Sequence, residues 1–218
     1  MRNDISLELA SRLTEQVKTA FENGSLLDAV TPVTQDLLKF WFMGPYTEER
    51  SKNFHEGQKQ SILNIIYLHE VLQVTTVEEI YRQVAPDLLA ECNLSDLAKE
   101  KYRIPKYAVK MATGTGKTWV MHALLLWQLL NARHEEQEER SGRYTQNFLI
   151  VAPGLIVYDR LKDAYCGRLK ENCTERDPFT NDLYLHKDLF IPPAYRDEVF
   201  SFIQNNVVTK EEGIGRKI

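Results

Sequence analysis

Gly116, Lys117 and Thr118 stand together in the stretch "KYAVKMATGTGKTWVM", residues 106–121. A flexible glycine, a lysine and a hydroxyl in that order are what a loop needs to hold a nucleotide's phosphates. Backbone N–H groups line the anion, the ammonium reaches the β- and γ-phosphates, and the hydroxyl ligates Mg2+. Gly114 adds a second point of backbone freedom. The common form of such a loop, G-x-x-x-x-G-K-[ST], begins with a glycine, and here that place is taken by Met111. From Ala112 the loop therefore reads A-x-G-x-G-K-T. Its candidate ATP contacts are Ala112, Thr113, Gly114, Thr115, Gly116, Lys117 and Thr118. Lys117 and Thr118 are the pair expected to act in catalysis, Thr118 as the Mg2+ ligand.

Such a loop works only when a helix N-terminus follows it and points at the anion. "KTWVMHALLLWQLLNAR" (117–133) has helical character with bulky apolar residues on most sides. "YAVKM" (107–111) predicts a short strand before the loop. "NFLIVAP" (147–153) is an apolar run of strand length, the pattern of a parallel strand buried on both faces. A helical pattern, "LIVYDRLKDAY", follows it. Residues 107–165 thus predict a right-handed β-α-β-α unit in a parallel sheet.

Upstream the periodicity is helical. Ile5, Leu9, Leu13, Val17 and Phe21 predict a helix over 4–22, with Gly24 as its stop. Further helices are expected at 34–42, 55–73 and 77–90, the last opened by a capping box from Thr75-Thr76 to Glu78-Glu79. The charged stretch after the loop helix, 134–146, reads as a solvated surface loop.

Composition is that of an ordinary globular chain: 43% hydrophobic, 27% charged and net charge −4. The absence of a basic excess counts against a simple DNA-binding module. No apolar run approaches the roughly 20 residues that span a bilayer, and the N-terminus lacks an apolar signal core. A cytoplasmic location is expected, with no membrane partner. Three cysteines, Cys92, Cys166 and Cys173, suggest neither a disulfide framework nor a zinc site. The five histidines are scattered, and His122, on the loop helix, reads as a packed residue.

"MATGTGKT" resembles motif I of superfamily 2 helicases and translocases, with Met111 at the early position and Ala112 next to it. "NFLIVAPGLIVYDRL" (147–161) looks like motif Ia, and "FHEGQKQSI" (54–62) like the aromatic and glutamine element that holds adenine, with Gln58 as the matching glutamine. Together the stretches resemble the N-terminal part of the res subunit of type III restriction enzymes, from about residue 50 to 165. The resemblance implies an α/β fold, a P-loop RecA-like parallel sheet forming a first motor domain over 53–218 after a helical extension over 1–52. It implies ATP and Mg2+ as cofactors, and Pro153, Gly154 and Arg160 as contacts to DNA. It also implies double-stranded DNA and a methyltransferase modification subunit as partners.

The chain departs from a full motor in two ways. The one Asp-Glu pair, Asp197-Glu198, follows "IPPAYR", which cannot be the buried strand that carries motif II. No E-x-K triplet offers a nuclease site, and Pro86-Asp87 is an isolated match to its other half. The first motor domain is therefore expected to be truncated before motif II. The competing readings are another superfamily 2 enzyme (a type I restriction motor or an RNA helicase), a stand-alone P-loop nucleotide-binding or phosphotransferase protein, and a non-catalytic remnant. ATP turnover by these 218 residues alone is expected to be slight in a steady-state phosphate-release assay. Robust turnover that Lys117→Ala abolishes would overturn that expectation.

Overall fold

The computed structural model describes residues 5–91, 99–100, 106–134, 142–171 and 174–210. Contacts divide the chain into two compact units, residues 1–38 with 54–121 and residues 39–53 with 122–218. Cys92, Cys173, Pro105 and most of the charged stretch after His134 (135–141) lie outside the described residues.

The first unit is helical. Ile5–Glu22 buries Leu13 and Val17, the apolar stripe expected from its spacing. Gly24, at φ 84°, turns the chain into a short helix, Ser25–Ala29, that buries Leu26 and Leu27. Helix Pro32–Phe42 begins with a proline, whose missing N–H costs nothing in a first turn. That helix start is held by Glu70, only 4% exposed. The Glu70 carboxylate accepts the Thr31 N–H at 2.9 Å and the buried Thr34 hydroxyl at 2.5 Å. A negative charge there also meets the positive end of the helix dipole.

Glu70 reaches this position from a π turn, Tyr67–Val71, which continues helix Glu56–Ile66. The single helix expected over 55–73 is therefore α-helical at first and wider in its last turn. Val77–Val84 opens with the expected capping box between Thr76 and Glu79. The backbone N–H of Thr75, and then that of Thr76, hold the Glu79 carboxyl below the usual carboxylate range. The helix expected over 77–90 breaks at Ala85 because Pro86 cannot continue it, and it restarts as Pro86–Leu89. Tyr81, Ala85 and Leu88 form a small core with Ile5, Leu9, Val77 and Leu89.

The second unit contains helices Leu155–Cys166, Asp182–Leu185, Lys187–Phe190 and Arg196–Asn206. The Trp41 indole donates to the Phe190 carbonyl at 2.8 Å, with both residues buried. Arg168–Leu169 and Arg176–Asp177 pair antiparallel, Arg168 opposite Asp177 and Leu169 opposite Arg176. Gly167 precedes this hairpin at φ +82°, and a Cβ there would lie 1.8 Å from the Asp177 carbonyl oxygen. Only glycine fits.

This two-residue hairpin is the whole sheet among the described residues. The expected P-loop RecA-like parallel sheet is not seen among the described residues. Neither 107–111 nor 147–153 enters a ladder, although both carry strand-like composition. Leu149 is 90% exposed and Val151 79%, where a strand buried on both faces was expected. Apolar content shows what a segment would bury beside a neighbour, but it does not supply the neighbour whose N–H and C=O groups complete a ladder.

Glu70→Ala leaves the Thr31 N–H and the buried Thr34 hydroxyl without their acceptor. It is expected to destabilise the first unit by about 3 kcal/mol, read as a lower midpoint of urea unfolding, with Glu70→Gln costing less.

Candidate functional site

The loop 112–116 belongs to the first unit, as do the first residues of helix Lys117–His134. Gly114 and Gly116 take φ +81° and +73°, the left-handed region that other residues adopt only at a cost. Those two values explain why the sequence has glycine at both places. The 18-residue helix then starts at Lys117 itself. The expected turn and helix are present, and it is the strand before them that is not.

A neighbouring helix end holds the loop. His55 is the N-cap of Glu56–Ile66, with its side chain accepting the Gln58 N–H while the Gln58 side chain accepts the His55 N–H. Gln58 is 3% exposed. Its Nε2 donates to the Thr115 carbonyl at 3.3 Å and the Gly116 carbonyl at 3.2 Å. The His55 Nε2 also meets the Thr115 carbonyl, at 2.8 Å. A Cβ on Gly116 would come within 2.3 Å of the Gln58 Nε2, so the close approach of glutamine and loop depends on that glycine. Phe54, buried next to the cap, meets the Trp119 ring edge-on at 6.3 Å.

Lys117 is exposed, and its Nζ donates to the Ala112 carbonyl at 2.8 Å. The Thr115 hydroxyl donates to the same carbonyl at 2.7 Å. An ammonium beside two left-handed glycines and a helix N-terminus suits a polyphosphate. Thr118, half-buried in the first helical turn, has a hydroxyl of the kind that holds Mg2+ in such loops. The residues present fit Mg-ATP in chemistry and in backbone conformation.

The structure thus brings Gln58, Ala112, Thr115, Gly116 and Lys117 into one hydrogen-bonded group. Pro153, Gly154 and Arg160 lie in the second unit and are all exposed, Gly154 capping helix Leu155–Cys166. Sequence reasoning missed His55. Its signal was a histidine at an N-cap, where Ser, Thr, Asp or Asn is usual.

Two further polar clusters lie in the second unit. His122 is fully buried between the rings of Tyr165 and Phe190, each met edge-on. Its two ring nitrogens face the Tyr165 hydroxyl at 3.0 Å and Asp182 at 3.4 Å. The His122 contact holds the Asp182 carboxyl below its ordinary range, and burial pushes the Tyr165 phenol up. Glu198 lies in the first turn of Arg196–Asn206 and pairs with Arg133 at 2.5 Å and His134 at 2.8 Å. Asp197-Glu198 therefore lies in the first turn of a helix and does not follow a strand. Among the described residues, no group of three or more His, Cys, Asp or Glu side chains is placed to hold a metal ion. No described helix is long and apolar enough to cross a membrane.

The family model for the type III restriction enzyme res subunit matches residues 51–190. The chain belongs to that family. The match begins just before the His55 cap, includes the whole loop, and continues through Leu155–Cys166 to the end of Lys187–Phe190. This res family is one of helicase-like enzymes that hydrolyse ATP. No curated protein and no solved structure gives a significant match.

Gly116→Ala adds a Cβ at positive φ and drives it into the Gln58 amide. Mg-ATP affinity is expected to fall at least about tenfold by calorimetry, with the helical circular dichroism retained. Unchanged affinity would show that Gln58 and the loop do not need this approach.

Proposed function

We propose that the chain is the ATP-binding portion of the DNA-dependent ATPase and translocase of a type III restriction-modification endonuclease. The observation that carries the proposal is the conformation of 112–118: two left-handed glycines, then Lys117 at the first position of an 18-residue helix. The res family match over 51–190 supports it. Residues 53–218 are the nucleotide-binding part in this reading and 1–52 a helical extension.

Ala112 to Thr118 wrap the phosphates. The backbone N–H groups after Gly114 and Gly116 offer hydrogen bonds to phosphate oxygens, and the dipole of Lys117–His134 favours their negative charge. Lys117 stabilises charge on the transferred phosphoryl group. Thr118 holds Mg2+, which neutralises charge on the β- and γ-phosphate oxygens when bound. Gln58 selects adenine, and a base that takes up its amide competes with the carbonyls of Thr115 and Gly116. Base recognition and loop position are then coupled through one side chain.

Pro153, Gly154 and Arg160 contact the backbone of double-stranded DNA, and a methyltransferase subunit reads the recognition sequence. The exposure of all three residues suits backbone contact. Affinity carried by phosphate contacts falls steeply with salt.

Calorimetric titration of the chain with Mg-ATP, beside Lys117→Ala, is the first test. The variant is expected to bind roughly a hundredfold more weakly. Equal binding by both proteins, or GTP bound as tightly as ATP, would sink the respective roles of Lys117 and Gln58.

A further inference from the structure

The Thr115 carbonyl accepts from two side chains, and the shorter contact is to His55 at 2.8 Å against 3.3 Å for Gln58. The same His55 ring accepts the Gln58 N–H through Nδ1 at 3.3 Å. One ring therefore faces a donor on one side and an acceptor on the other. Only the neutral imidazole with its proton on Nε2 satisfies both.

A helix N-cap needs only an acceptor for the N–H three residues on, and Asn, Asp, Ser and Thr supply one at least as well as histidine. Those side chains are shorter than an imidazole. Histidine has two opposed nitrogens across a rigid ring, so it caps helix Glu56–Ile66 and reaches Thr115 together. The cap explains the ring's near nitrogen, and the loop contact explains why the ring is there.

We propose that His55 is a positioning residue for the phosphate loop. It tethers the Thr115 carbonyl to the cap of Glu56–Ile66 and so aims the loop's N–H groups. The proposal rests on the ATP reading of that loop. The mechanics follow from peptide planarity. In a trans peptide the carbonyl and the next residue's N–H point in opposite directions. Drawing the Thr115 carbonyl toward His55 and Gln58 turns the Gly116 N–H away from them. Gln58 and the Trp119 N–H hold the Gly116 carbonyl at 3.2 and 2.9 Å, which fixes the Lys117 N–H in the same way. These two N–H groups precede and open the helix, where an anion is held best. His55 touches no phosphate and acts through Thr115.

The test separates the cap from the tether in the full chain. His55→Asn keeps a capping acceptor and removes the reach to Thr115, whereas His55→Ala removes both. For His55→Asn, thermal unfolding is expected at the wild-type midpoint, while NMR order parameters of the Gly116 and Lys117 amides fall. Mg-ATP and Mg-ADP affinity are expected to weaken about three- to tenfold, the loss of one neutral hydrogen bond. The wild-type ring should show the nitrogen shifts of an imidazole protonated on Nε2. Wild-type order parameters and affinity in His55→Asn would reduce His55 to a cap and overturn the proposal, as would a ring protonated on Nδ1. If wild-type chain and Lys117→Ala both fail to bind Mg-ATP, the nucleotide reading fails. The order parameters and ring shifts of nucleotide-free protein then still decide whether the tether exists.

Discussion

A trans peptide cannot turn its carbonyl without turning the following N–H the other way. The candidate site depends on that constraint. Gln58 and His55 hold the Thr115 carbonyl, and Gln58 with the Trp119 N–H holds the Gly116 carbonyl. The donors that would face a phosphate are thus set from behind, by groups on the far side of the same peptides. Gly114 and Gly116 make the arrangement possible because the backbone turns through positive φ at both.

The groups behind the loop are themselves positioned by helix ends. Helix Glu56–Ile66 presents His55 and Gln58 through its reciprocal cap. At its other end the π turn Tyr67–Val71 brings Glu70 to the start of Pro32–Phe42. One continuous stretch of chain therefore carries the loop clamp at its beginning and a buried carboxylate cap at its end. The interior between them is apolar, with Ile62, Leu63, Ile65 and Ile66 buried, so the clamp stands on a packed helix.

The legible parts of the sequence were those whose signal is local. The left-handed glycines, the start of Lys117–His134 and the Thr76–Glu79 capping box all depend on residues within a few places of one another. The helical stripe of Leu13 and Val17 repeats over several turns and was equally plain. What failed depends on distant partners. The apolar run 147–153 has the composition of a buried strand, yet a ladder needs a second strand and the described residues provide none there. The break at Ala85 lay in view in Pro86, but the strength of the flanking helical pattern concealed it. The contact of His55 with Thr115 could not be read from local pattern because the two are 60 residues apart in sequence. Gln58 was singled out only because its spacing from Ile62 resembles a known element.

Lys117 carries one more consequence. Its ammonium is already engaged, donating to the Ala112 carbonyl at 2.8 Å. Any anion that this lysine grips must first displace an acceptor belonging to the loop. The apparent affinity of such an anion would be the intrinsic one diminished by the fraction of molecules whose lysine is disengaged. Ala112 acts as a resident competitor at fixed effective concentration, and no washing removes it. A ligand that meets only the loop's N–H groups escapes this competition. A ligand that needs the ammonium, as a nucleoside triphosphate does, encounters it in full.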